Sequence, residues 1–261
     1  MTTRREALGM IGLATGSILL GSLATGQALA GSDIANGNGA ALPFLWPYVK
    51  LDPVACAERS YQAFYEENRH CMYGAFKGII GEYAEKQGAP YNNFPLKMMT
   101  IGGGGGGDWA TLCGALNGAM LSVSLLTKNP KPIVDELFSW YESEQLPNYR
   151  PANAKTNPVR SVSKSPLCHI SVSRWCKVAK VKSFSDARED RCALLTASVV
   201  KKTVELLNAQ ADGSFQAQYP LSKAVQQCRS CHDKGSMLEN TRGKMDCAPC
   251  HSDLKAKHPE I

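Results

Sequence analysis

Two copies of one five-residue motif lie near the C-terminus: Cys228-Arg229-Ser230-Cys231-His232 and Cys247-Ala248-Pro249-Cys250-His251. Cys-x-x-Cys-His is the attachment pattern of haem c. Its two thiols add across the two vinyl groups of one haem, and the next residue offers an imidazole to the iron. The spacing predicts two haem c groups per chain, with His232 and His251 as proximal iron ligands. A zinc ribbon also needs two Cys-x-x-Cys pairs, and the 15 residues between Cys231 and Cys247 would suit one. Four thiols alone, however, give no role to two histidines at identical offsets. A thioredoxin-like disulfide opens a helix in a strand–helix unit, and no such pattern precedes these motifs.

The start of the chain bears on compartment. Arg4-Arg5 sits in a short charged segment, an apolar run follows from Leu8 to about Leu23, and Ala28-Leu29-Ala30 gives a small-residue cleavage site. Residues 1–30 read as a twin-arginine export signal, which places the mature chain, 31–261, in the periplasm. The glycine-rich, moderately apolar run argues against a retained membrane anchor, so no stable membrane insertion is expected after cleavage. Haem c is also attached outside the cytoplasmic membrane. The twin-arginine route carries folded proteins, often already loaded, which suggests a second cofactor inserted before export.

The formal net charge is +6. Removing Arg4, Arg5 and Glu6 with the signal leaves +5. This mildly basic balance suits steering of an acidic redox partner, and no interleaved aromatic-basic motif supports nucleic-acid binding. Six of the ten cysteines lie outside the haem motifs: Cys56, Cys71, Cys113, Cys168, Cys176 and Cys192. An exported compartment permits up to three disulfides among them. An iron–sulfur cluster, which needs thiolates converging from separate helices, and a redox-active dithiol are the other readings.

The elements that must position these groups read as all-α. Asp52 and Pro53 open a helix to Glu67. Cys71–Lys86 follows, with Tyr73, Phe76, Ile79, Ile80 and Tyr83 at helical spacing, and Gly88-Ala89-Pro90 ends it. Six glycines, Gly102–Gly107, precede Asp108, which is expected to cap a helix over Trp109–Lys128. The run lacks both the P-loop ending and the preceding strand of a dinucleotide site. Its glycines would let the backbone approach a thiolate or cluster closely, or would form a flexible loop. Ile133–Glu144 reads as a short helix, 145–165 as a linker, and Asp186–Ala211 as a long helix with Cys192 on its apolar face. Ser161–Ser163 and His169–Val172 carry brief strand signals. The helical body is expected over 31–212 and a haem-binding segment over 213–261.

Cys113-Gly114-Ala115-Leu116-Asn117-Gly118 resembles the Cys-Gly-Ala-x-x-Gly motif of a family of redox-active proteins that carries four cysteines: one upstream, one in the motif and two downstream. The correspondence gives Cys71, Cys113, Cys168 and Cys192 as candidate iron–sulfur ligands, with Cys176 as a possible substitute and Cys56 extra. Together with the paired haem motifs and the export signal, the chain from about residue 50 to its end looks like the split-Soret cytochromes c. That resemblance implies a homodimer with two closely packed haems per subunit, two histidines on each iron, and an axial ligand that one subunit can lend the other. A non-haem iron–sulfur centre would fit the cysteine body.

Five histidines are available. Beyond the proximal pair, His70, His169 and His258 are the candidate distal ligands. His70 precedes Cys71 and His169 follows Cys168, which would bring haem and cluster close together. Met237 and Met245 are the alternative axial ligands, and they would give higher potentials. The 49 residues from Gly213 onward are too few to enclose two haems alone, so the body or a second chain must complete the pockets. The chain is read as an electron carrier between unidentified redox partners. Its rival is a haem-fed reductase acting on a small molecule or disulfide at the cysteine site.

Overall fold

A computed structural model of the protein describes residues 42–66 and 69–251. The export signal and His258 lie outside these residues. The described chain is mostly helical, as expected.

Helix α1 (Pro53–Tyr65) starts where its cap chemistry demands. Asp52 Oδ1 accepts from the N–H groups of Val54 at 2.7 Å and Ala55 at 3.2 Å, and Pro53 occupies the first turn. Helix α2 (His70–Gln87) stops at Gly88, whose φ of 71° an L side chain would resist. Helix α3 is Gly114–Leu126, α4 is Pro130–Ser143, α5 is Cys168–Ala179 and α6 is Asp186–Ala211. The α6 boundaries coincide with those read from the sequence. Ser185 caps it, accepting from Arg188 N–H at 3.3 Å, and Asp186 and Glu189 complement the helix dipole in its first turn.

Helix α6 packs against α1, α2, α3 and α4. Leu195, Val199, Val200, Val204 and Leu207 join Phe76, Ile79, Ile80, Leu116, Val123, Ile133 and Leu137 in the main core. Full burial of each such side chain contributes roughly 1.5–3 kcal/mol. On the other side of α6, Ala193, Leu194 and Ala197 pack with Tyr61 and Phe64 of α1.

Three local expectations are corrected. The helix expected from Trp109 begins at Gly114, and Asp108 is not its cap but a turn residue at φ 63°. The segment 110–113 pairs with 166–169 instead. Cys113 N–H donates to Pro166 O at 2.9 Å, Cys168 N–H to Thr111 O at 2.6 Å and His169 N–H to Ala110 O at 3.1 Å. Second, His169–Val172 is not strand but the first turn of α5, because Ser171 and Trp175 point inward four residues apart. Third, α4 starts three residues early at Pro130, since a proline costs nothing in a first turn. Ser161 does enter a strand, though a short one: Ser161–Val162 (β2) pairs antiparallel with Gln145–Leu146 (β1) inside the expected linker.

The C-terminal segment lies along α4. Phe215 and Tyr219 pack on the main core. Buried Glu136 accepts from Gln218 N–H at 3.0 and 3.1 Å and from Tyr219 N–H at 3.0 Å. Tyr219 donates to Glu144 at 2.7 Å, and Lys244 reaches both oxygens of Asp135 at 2.6 and 2.7 Å. Helix α7 (Lys223–His232) is anchored by its one buried residue, Val225.

Candidate functional site

Four segments carry the body cysteines to one neighbourhood. Cys71 enters on the first turn of α2, Cys113 stands at the N-cap of α3, Cys168 opens α5, and Cys192 lies two turns into α6. The pairing of 110–113 with 166–169 sets Cys113 beside Cys168. Contact between α2 and α3 brings in Cys71, whose Sγ would lie 2.4 Å from a β-carbon on Gly114. The thiols influence one another electrically. Burial first, then Cys113, Cys192 and Cys168, pushes Cys71 well above the ordinary thiol value. Burial likewise raises Cys113, and with Cys113 and Cys192 it raises Cys168 to about 12.

The glycine run wraps this neighbourhood. Gly102 O lies 4.0 Å from Cys71 Sγ, and a β-carbon on Gly105 would stand 2.8 Å from Cys168 Cβ. The run therefore serves close backbone approach. His70 and His169 flank the site. The His70 ring packs edge-on against Phe64 at 5.7 Å, and His169 is exposed at the start of α5.

Of the other two cysteines, Cys56 lies apart from this neighbourhood and Cys176 at its edge, within reach of Cys192. Cys56 is fully buried in α1 and belongs to the main core; burial raises it to about 12. Cys176 sits on α5, where burial raises it and Arg191, Cys192 and Arg188 act on it. All ten cysteines are free thiols in this structure.

Two residues of this site escape a reading by motif. Arg191 is buried beside Cys192 on the face of α6 that carries Leu195 and Val199. A cation at i−4 and i−8 to core positions was the available signal. Tyr141, fully buried on α4, donates to Ser171 Oγ at 2.8 Å and neighbours the Cys113 thiol.

A metal at the four thiols would be held by separate helices around a site rich in sulfur and poor in carboxylate. Among the described residues no three His, Cys, Asp or Glu side chains stand close enough to grip one ion. The donors are gathered but not drawn to a point, and metal–thiolate bonds would supply that last convergence. The chemistry of the donor set and the buried guanidinium beside it fit an anionic metal–thiolate group.

The haem motifs are also placed. Cys228, Cys231 and His232 fall at i, i+3 and i+4 on α7, hence on one face. His232 Nδ1 lies 2.7 Å from Asn240 Oδ1. Cys247 to His251 forms a turn, with Cys250 and His251 N–H donating to Cys247 O. Burial raises the Cys247 thiol, and Cys228 next to it raises it further, so the two motifs adjoin. Around them Met237, Leu238 and Met245 are exposed. An apolar macrocycle fits a segment with so few buried side chains of its own.

Among the described residues no helix is long and apolar enough to cross a membrane.

Residues 73–206, just over half of the chain, match the family described as "Putative redox-active protein (C_GCAxxG_C_C)". The match takes in Cys113, Cys168, Cys176 and Cys192 and begins two residues after Cys71. The description writes Gly-Cys where this chain has Cys113-Gly114. Split-Soret cytochrome c of Desulfovibrio desulfuricans is 41% identical over 97% of this chain and 95% of its own length. A solved structure, described as a novel iron centre in the split-Soret cytochrome c of that organism, is 40% identical. It superposes with a TM-score of 0.77 over 87% of this chain and 98% of its own. The chain belongs to the split-Soret cytochrome c family, with a body of the four-cysteine redox-active type.

Proposed function

We propose that the chain is a periplasmic dihaem cytochrome c, exported by the twin-arginine route, which carries electrons between its haems and a cysteine-bound iron centre. The last turn of α4 is the observation that carries this reading. Tyr141 lies against Cys113, while the carboxyl of the next residue, Glu142, lies close enough to Asp246, immediately before Cys247, to feel its charge. One helical turn thus touches both candidate centres.

In this reading Cys228 and Cys231 hold one haem and Cys247 and Cys250 the other, with His232 and His251 on the irons. The carbonyl of Asn240, accepting from Nδ1–H, would orient His232 for ligation through Nε2. The haems supply one-electron chemistry, and the body supplies burial and orientation. Cys71, Cys113, Cys168 and Cys192 hold the further iron as an iron–sulfur cluster, an assignment supported by their gathering and by the iron centre described for the relative. His70 and His169, with His258, remain the distal-ligand candidates; exposed His169 suits donation to a second copy. The active form is a homodimer. Trp109 at 84% exposure and Ile101 at 70% flank Gly107, an apolar surface that a second copy would cover.

The test is anaerobic purification of the exported protein, with haem, total iron and acid-labile sulfide measured per chain. Iron in excess of haem, with sulfide, is expected. Iron equal to haem, with no sulfide, sinks the cluster. Haem on only one motif sinks the dihaem assignment.

A further inference from the structure

Arg191 is 1% exposed. Its neighbour in sequence, Asp190, is no counter-ion, because that carboxylate is turned to the opposite side of α6. There it accepts from Tyr61 at 2.6 Å, Tyr65 at 2.7 Å and Thr156. The guanidinium instead donates through Nη2 to Ser171 Oγ at 2.9 Å and through Nη1 toward Cys192 Sγ at 3.9 Å. The Trp175 ring lies 5.8 Å away, and Nε has no partner. Among the described residues no carboxylate is ion-paired with it.

A buried guanidinium without an anion costs several kcal/mol. What surrounds this one is a hydroxyl, an indole and thiols. An iron–sulfur cluster held by four thiolates would supply the missing charge, because thiolates and sulfides together carry more negative charge than the irons carry positive. We infer that Arg191 is the counter-cation of the cysteine-held iron centre and raises its reduction potential.

This rests on the iron-centre reading above. The electrostatics are direct. Reduction adds one electron to the centre and no atoms, so the reduced form carries one more negative charge. A fixed cation nearby favours that form over the oxidised one. Arg191 is a positioning residue in this role. It touches a ligand sulfur, not the electron's path, and its effect is read in a potential.

The test uses the full chain purified without oxygen, as wild type, R191K, R191Q and R191M. Each is titrated potentiometrically, with the non-haem iron followed by electron paramagnetic resonance and the haems by visible absorption. In R191Q and R191M the midpoint of the non-haem signal is expected to fall, shifting the reduced-to-oxidised ratio at fixed potential by about tenfold or more. The haem midpoints should stay in place, and R191K should recover most of the shift. An unchanged non-haem midpoint in a folded R191M that retains its iron overturns the inference. If R191Q and R191M fail to accumulate, recovery of iron-loaded R191K supports the charge role, and a lysine variant as defective as the glutamine one overturns it. Wild type without iron beyond its haem removes the reading beneath; iron-loaded wild type with an indifferent Arg191 removes this inference alone.

Discussion

The thiol of Cys71 occupies the space that a side chain on Gly114 would need: a β-carbon there would stand 2.4 Å from Cys71 Sγ, 2.6 Å from Gly102 O and 3.0 Å from Met72 N. Two of those three neighbours are backbone and cannot swing away. The glycine after Cys113 therefore sets how closely α2 and α3 approach, and so how near two candidate ligands lie. G114A should cost about 1–3 kcal/mol and reduce the iron bound beyond haem. G243A in the tail, where nothing lies within 4 Å, is the control. Thermal melts with iron analysis decide; a G114A protein as stable and as iron-rich as wild type would refute the packing argument.

Asp190 ties α6 to α1 and to the long connection before α5. Burial works against its ionised form, but hydrogen bonds from Thr156, Tyr61 and Tyr65 outweigh burial and hold its carboxyl below the usual 3.8. A depressed folded value means that the unfolded chain binds the proton more readily. The stabilisation is therefore present at neutral pH and lost as pH falls below about 4. D190N should lower stability at pH 7 by about 2 kcal/mol. Its deficit should shrink at pH 3, below the usual 3.8 at which the unfolded wild-type chain takes up the proton. Denaturant melts at both pH values provide the comparison, and an equal deficit at each would count against the linkage.

The sequence showed those parts of the structure that local chemistry controls. Asp52-Pro53 announced α1, Gly88 ended α2, and the apolar stripe of Leu195, Val199 and Leu207 delimited α6. The start of α3 was not legible. The glycine run offers many backbone paths, and the one taken is chosen by hydrogen bonds to 166–169, more than fifty residues away. The same pairing turns a list of cysteines into a neighbourhood, which spacing alone does not reveal. In α5, β-branched Ile170 and Val172 imitate a strand locally, and only Trp175 extends the pattern far enough to show period 3.6. Arg191 was hidden by its type, since a cation in a long helix is ordinarily read as solvated.

The Glu142 carboxyl lies where the body meets Asp246, just before the second haem motif, and its titration should appear in that joint. Burial raises its carboxyl from 4.5 to about 7; the Asp246 N–H opposes the rise and the Asp246 charge adds to it. Its Oε1 has no partner. A raised folded value means that the folded chain holds the proton more tightly. The contribution to stability is complete below pH 4.5 and declines as pH climbs toward 7. Attachment of residues 244–251 to α4 should therefore loosen over that interval in wild type and stay level in E142Q. Protease sensitivity of the tail, followed against pH, reads this directly. The same slope in both proteins would assign the titration elsewhere.

Glu136 makes the earlier and stronger joint. It is 2% exposed, and its two oxygens accept from the backbone N–H groups of Gln218 and Tyr219. Truncation in E136A would leave two peptide donors without acceptors beside the core, at a cost of about 1–3 kcal/mol each if they stayed buried. The chain has a less costly alternative, which is to lift 213–222 into water and keep the body folded. E136A should therefore show fast hydrogen exchange at Gln218 and Tyr219 and early cleavage before α7, while exchange in α6 stays slow. E136Q keeps one acceptor and should fall between. If α6 exchanges as fast as the tail in E136A, Glu136 supports the whole body and not the attachment of the haem-binding segment.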